Sequence, residues 1–206
     1  MDAPAAVLPN GRVLFSVGPI TNPAQFLDIL SYRQRPTWRL AYRNFNTYES
    51  LVTNQAVEAT PGVAGVRWYE LRRNSAGAYS IYQQGTYAPG DGVHRWMGSI
   101  AQDKNGNMAL GYSVVNGVDV FPGIRYTGRL AGDALGTMTL GEGTVINGTG
   151  VQTTTNSRWG DYTSMNIDPS DDCTFWYTNE YYTLAGQGTS TAGWQTRIGI
   201  VKLPGC

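Results

Sequence analysis

The chain has 206 residues, with fifteen basic and fifteen acidic side chains and a formal net charge of zero. It has no basic run and no apolar stretch approaching a membrane span, so neither nucleic acid nor a membrane is expected as a partner. The length suffices for one domain with a substantial core. Thirteen Tyr, six Trp and twenty-six Gly fit a sheet protein with many tight turns.

The first residues, Met1-Asp2-Ala3-Pro4-Ala5-Ala6, lack the basic and apolar regions of a signal peptide. Residues 1–30 read as an N-terminal segment with one strand at 13–17 and a short helix at 23–30. From residue 31 to 206 the chain repeats itself as one domain. Arg95-Trp96-Met97-Gly98-Ser99-Ile100-Ala101-Gln102-Asp103 returns as Arg158-Trp159-Gly160-Asp161-Tyr162-Thr163-Ser164-Met165-Asn166-Ile167-Asp168-Pro169, with a weaker copy from Thr37 to Asn44. Trp38 to Trp96 is 58 residues and Trp96 to Trp159 is 63. Such a period marks one supersecondary unit used several times.

The first copy has strand-like runs at 38–44, 49–57, 65–72 and 79–87. The middle copy has them at 96–102, 108–115, 124–130 and 136–146. Between its first two runs, Lys104-Asn105-Gly106-Asn107 suits a two-residue hairpin with both central residues at positive φ. The last copy has runs at 159–167, 174–181 and 194–201. Four short antiparallel strands per unit is the blade of a β-propeller. The expected class is therefore all-β, with about three blades in this chain, and the repeated Trp residues pack blade on blade. Propellers close with about 4 to 8 blades. Either the chain is part of a longer propeller, or copies close a ring together, a symmetric pair giving six blades.

Two cysteines, Cys173 and Cys206, are a candidate disulfide tying the chain end to the last blade. Low charge and abundant Asn, Thr, Gly and Tyr point to an extracellular or secreted protein. Asn147-Gly148-Thr149 is formally a glycosylation triplet, read here as a turn. No Cys/His cluster offers a zinc site, no phosphate loop or Gly-x-Ser-x-Gly elbow is present, and no cofactor is expected. Asp168, Ser170, Asp171 and Asp172 are oxygen donors for a structural calcium, or simply an Asp-rich turn.

The phrases Ser99-Ile100-Ala101-Gln102-Asp103-Lys104-Asn105-Gly106-Asn107 and Ser164-Met165-Asn166-Ile167-Asp168-Pro169, with Thr174-Phe175-Trp176, resemble blade phrases of sialidase-like propellers of the BNR/Asp-box type. Trp159-Gly160-Asp161-Tyr162 and Phe175-Trp176-Tyr177-Thr178-Asn179-Glu180-Tyr181 are similar to phrases of secreted bacterial propeller proteins. The resemblance extends over residues 31–206. The chain departs from the box Ser-x-Asp-x-Gly-x-x-Trp, since Ser164 lies four residues before Asp168 and no Gly stands within Ser170-Asp171-Asp172-Cys173. The family's three Arg, Tyr/Glu pair and Asp acid do not map as a full set.

The resemblance implies a site at one end of a central channel. The loops selected are 31–37, 88–95 and 153–158 entering the innermost strands, and 58–65, 116–123 and 181–193 leaving the second strands. Arg95 and Arg158 share one repeat position and Arg35 lies near the corresponding place. A ring of guanidinium groups there would hold a carboxylate or sulfate on a sugar, or each Arg would pair with the next blade. Tyr162, Tyr181 and the lone His94 complete the candidate substrate-binding residues. Asp161 and Glu180 form the best carboxylate pair for glycoside hydrolysis, one donating a proton while the other acts as base or nucleophile. Two functions follow. One is a carbohydrate-active, sialidase-like glycoside hydrolase acting on extracellular glycans. The alternative is a non-catalytic glycan- or protein-binding module, or a fragment of a larger secreted propeller.

Overall fold

The computed structural model describes residues 6–7, 13–14, 29, 36–152, 158–187 and 193–206. Two short strands, β1 (Ala6–Val7) and β2 (Val13–Leu14), pair with each other as a separate two-stranded sheet. The strand expected at 13–17 thus has a partner that the sequence did not signal. The helix expected at 23–30 lies outside the described residues, apart from Ile29.

The first blade is β3 (Ala41–Asn44), β4 (Glu49–Thr60), β5 (Val63–Arg73) and β6 (Tyr79–Tyr87), paired in that order. The second is β7 (His94–Gln102), β8 (Met108–Val115), β9 (Gly123–Arg129) and β10 (Glu142–Ile146), again in chain order. The third has three strands, β11 (Ser164–Ile167), β12 (Phe175–Tyr181) and β13 (Gln195–Val201). A single-turn helix, α1 (Leu184–Gln187), lies between β12 and β13. Every pairing within the blades is antiparallel. The protein is therefore all-β and built of propeller blades.

Burial follows from the stacking. In β4 the residues alternate, with Ser50, Val52, Asn54 and Ala56 buried and their neighbours half-buried, as a strand covered on one face should. Every residue of β7 and β8 is buried, because the middle blade is covered on both faces. Strand β7 packs against β4 and β5 on one side and β11 on the other. Between blades one and two lie Val52, Val66, Trp68, Ile100, Leu110 and Tyr112. Between blades two and three lie Ala101, Ala109, Met165, Phe175, Tyr177 and Val201. The small residues at this second junction are a packing requirement. A Cβ on Gly111 would come within 2.4 Å of the Tyr177 ring.

The 103–107 connection differs from the expected hairpin. Strand β7 ends at Gln102 and β8 begins at Met108, and only Gly106 takes positive φ, at 82°. The buried Asp103 is the cause: its carboxylate accepts the backbone N–H groups of Asn105 and Asn107, both at 2.9 Å, and folds a longer turn around itself. The first strand of the last copy is also shorter than expected. Gly160 sits at φ 54° and Thr163 N–H bonds to the Gly160 carbonyl, so residues 159–163 form a turn before β11.

Cys173 and Cys206 are joined, with Cα atoms 5.6 Å apart across 33 residues of sequence. The bond fixes the chain end to the turn that leads into β12. That turn is held by Asp171, whose carboxylate accepts the N–H groups of Cys173 and Thr174, and by Asp168, which accepts from Ser170 N–H and the Trp176 indole. Asp172 is ion-paired with Arg43 of β3, linking the third blade directly to the first. The acids of this segment are thus engaged as turn and blade connectors.

Candidate functional site

Trp96 and Trp159 mark the same point in successive copies, and the structure brings them together. Their rings lie 5.9 Å apart, and Trp159 stacks on Tyr182 at 6.0 Å. Both indoles are fully buried, together with Ile29, Ala56, Ala64 and Val115. The residue after each Trp takes positive φ, Met97 at 48° and Gly160 at 54°. After Trp159 the chain turns toward the surface at one end of the blades, whereas after Trp96 it continues as buried β7. Trp159 is therefore the packed floor of the site, backed by Trp96, and the residues just beyond each Trp stand in its walls.

Two adjoining cavities open there and share Arg158, Asp161 and Tyr162. The larger, about 390 Å³, is lined by these residues with Trp159, Gly160, Glu180 and Trp194. The smaller, about 230 Å³, adds Pro36, Thr37 and Trp38 from the approach to β3, and Met97 from β7. The first strand of the middle blade and the segments that lead into the first strands of the other two therefore contribute to this end. Tyr162 is 86% exposed and Trp38 62% exposed, so two large aromatic faces stand in solvent beside the carboxylates.

The two carboxylates expected to work together do meet in one cavity. Glu180, at the end of β12, accepts the Gly160 N–H at 2.7 Å through one oxygen. Burial pushes its carboxyl up to about 7, the Gly160 hydrogen bond opposes this, and the charge of Asp161 raises it further. A large share of the Glu180 side chains is thus protonated at neutral pH. Asp161 is ion-paired with Arg158, which is 61% exposed. The pair lies close to solvent on one side and against the indole floor on the other.

Other expected site residues lie elsewhere. Arg95 does not stand on a channel rim: its side chain is 1% exposed and every donor is used. Nε and one Nη bond to Glu142 at 2.7 and 3.1 Å, while the Nη atoms also reach both Asp91 oxygens and the Val93 carbonyl at 2.8 to 2.9 Å. A guanidinium has five N–H donors, so none remains for a ligand. His94 is likewise buried, and its Nδ1 accepts the Ala64 N–H at 3.2 Å. Burial, helped by the adjacent Arg95 charge, pushes its pKa down to about 4, so the ring is neutral at pH 7. Tyr181 packs against the core between the second and third blades and lines neither cavity. Arg35 lies outside the described residues, as do residues 153–157 of the third entering loop.

Sequence reasoning missed Trp194, whose indole N–H bonds to Gln152 at 3.1 Å and whose ring walls the larger cavity. It precedes β13 and carries no repeat signal. Trp38 was visible as a repeat residue but not as a cavity wall, because its counterparts Trp96 and Trp159 are both core.

No protein-family model matches the chain, and no curated protein matches it. Among solved structures, the chain is similar to an α-L-arabinofuranosidase of glycoside hydrolase family 93 from Fusarium graminearum in complex with arabinobiose. The identity is 10% and the TM-score 0.38, over 96% of this chain and 70% of that one. A mutant of the α-L-arabinofuranosidase from the same organism, in complex with an iminosugar inhibitor, is similar at 9% identity and TM-score 0.38, again over 96% and 70%.

Proposed function

We propose that this protein is a carbohydrate-active propeller that hydrolyses a glycosidic bond at the Asp161–Glu180 cavity. The observation that carries the reading is the pair itself: two carboxylates share one cavity, and the environment of Glu180 holds its proton to about pH 7. A glycosidase needs one carboxyl that donates a proton to the leaving oxygen and one carboxylate that acts as base or nucleophile. Glu180 suits the first role. Asp161, ion-paired with Arg158, suits the second. Tyr162, Trp38 and Trp194 offer apolar ring faces against which a sugar can stack while its hydroxyls stay hydrated.

The substrate is an extracellular glycan in this reading. The disulfide and the low charge support an oxidising, secreted setting. The chemistry needs no cofactor. Among the described residues of the expected guanidinium ring, Arg158 reaches the cavity and Arg95 does not, so a sugar acid of the sialic type would have Arg158 as its described cationic partner there. The Arg158–Asp161 ion pair favours a second reading, a module that binds glycan without cleaving it, because it already occupies the charge of the proposed base.

Release of aglycone from a panel of chromogenic aryl glycosides separates the two. Hydrolysis predicts turnover that falls as the pH rises through about 7, where Glu180 loses its proton. Saturable glycan binding with no aglycone release at any pH establishes the binding module instead.

A further inference from the structure

A separate cavity, of about 340 Å³, is walled by the first strands of all three blades, β3, β7 and β11. It shares no lining residue with the two cavities that hold Asp161. On β7 the smaller of those is touched by Met97, whereas this one is touched by Gln102, at the opposite end of the strand. Arg39 and Arg43 enter its wall from the first blade, and Asp172 from the turn after β11.

Donors in this wall outnumber acceptors. Arg43 is engaged: its guanidinium pairs with Asp172 and donates to the Gln102 carbonyl at 3.3 Å. The acid among the lining residues is thereby committed to one of the two cations. Arg39 has no hydrogen bond or ion pair among the described residues, and its Nε is buried without an acceptor. Gln102 is 4% exposed, and the Ser50 hydroxyl donates to its Oε1 at 2.7 Å, yet its Nε2 is likewise buried without an acceptor. Buried donors are nearly always paired, and a buried cation demands a counter-charge. Two unpaired donors from adjacent blades line one cavity, and one of them belongs to an uncompensated guanidinium. The missing partner is therefore an acceptor that carries negative charge.

We propose that this cavity binds an oxyanion, a carboxylate or sulfate group, with Arg39 Nε and Gln102 Nε2 donating to its oxygens. A neutral hydroxyl would satisfy the amide but leave the Arg39 charge uncompensated. The inference is independent of the glycosidase reading, because the two sites have no residue in common.

Titration of ¹⁵N-labelled protein with sulfate, acetate, glucuronate and glucose 6-sulfate, at constant ionic strength, tests it. The Gln102 side-chain amide and Arg39 Nε–H resonances should both shift and saturate. Arg39→Gln should weaken the affinity by about 10-fold or more, as loss of a charge-assisted hydrogen bond implies. Arg39→Lys, which keeps the charge, should recover part of the loss, and unmoved amide signals elsewhere show that each variant is folded. Equal affinity for all four probes assigns the site to the free ion, and affinity about 10-fold higher for the two sugar acids assigns it to an acidic sugar. No saturable shift of either resonance with any probe overturns the proposal. Binding that survives Arg39→Gln but is lost on Arg158→Gln also overturns it, since that result puts the anion in the Asp161 cavity.

Discussion

Glu180→Gln and Asp161→Asn should each lower glycoside turnover by about 100-fold to 10,000-fold, the range general acid–base groups contribute, while the chain stays folded. Both replacements keep size and hydrogen-bonding capacity, and glutamine can still accept the Gly160 N–H. The stability of Glu180→Gln provides an independent readout. The folded-state value for Glu180 is about 7, above its ordinary 4.5, so the folded chain holds this proton more tightly than the unfolded chain. That contribution is fully present below pH 4.5 and is lost as the pH rises through 7. At pH 8 the buried charge costs about 3 kcal/mol, from roughly 1.4 kcal/mol per pK unit. The glutamine variant should match the parent at pH 4 and exceed it by about that amount at pH 8. Denaturant melts at the two pH values check the sign, and equal stability at both would remove the buried proton from the account.

Arg95→Met should destabilise the fold by about 3 to 5 kcal/mol, the range for breaking a buried charge pair from one side. The guanidinium is opposed by burial, yet Asp91 and Glu142 hold its pKa above the ordinary arginine value. Removing it leaves Glu142 with Arg125 and the Tyr112 hydroxyl, each at 2.8 Å, and without its fully buried partner. Asp91, which the Arg95 hydrogen bonds pull down to about 2, is partly exposed and can rehydrate. Most of the loss therefore falls on Glu142. Arg95→Lys should recover only part of it, because one ammonium cannot supply a bidentate fork to two acids. For a chain of this size the methionine variant should melt about 10 °C lower, from roughly 2 to 4 °C per kcal/mol. A loss below about 1 kcal/mol would mean that the network is not a stabilising element.

The difference between Arg95 and Arg158 shows what the sequence could and could not carry. Both precede the repeated Trp, so repetition alone assigns them one role. Their fates separate because Asp91 and Glu142 close around Arg95, and Glu142 lies 47 residues away on the outermost strand of the blade. No local pattern announces that meeting. Most strands of the first two blades were legible, since alternation and turn residues are local properties, but the run expected at 136–146 is a strand only from Glu142, because Gly136 and Gly141 take positive φ before it. The stretch at 159–163 was not legible, because Gly160 turns the chain there while its counterpart Met97 stays within β7. The Asp161–Glu180 approach could be seen in advance for a topological reason. Asp161 precedes β11 and Glu180 ends the antiparallel β12, which places both at the same end of the blade. Trp194 joins them through β13, but nothing in its neighbours distinguishes it from a packing residue.

The most direct test of the Asp161–Glu180 pair is the titration of Glu180 itself, followed by carboxyl-carbon NMR and assigned with the Glu180→Gln variant. A midpoint near 7 that falls when Asp161 is replaced by Asn is the predicted result. A midpoint in the ordinary carboxylate range, unmoved by that replacement, would contradict the paired-carboxyl site.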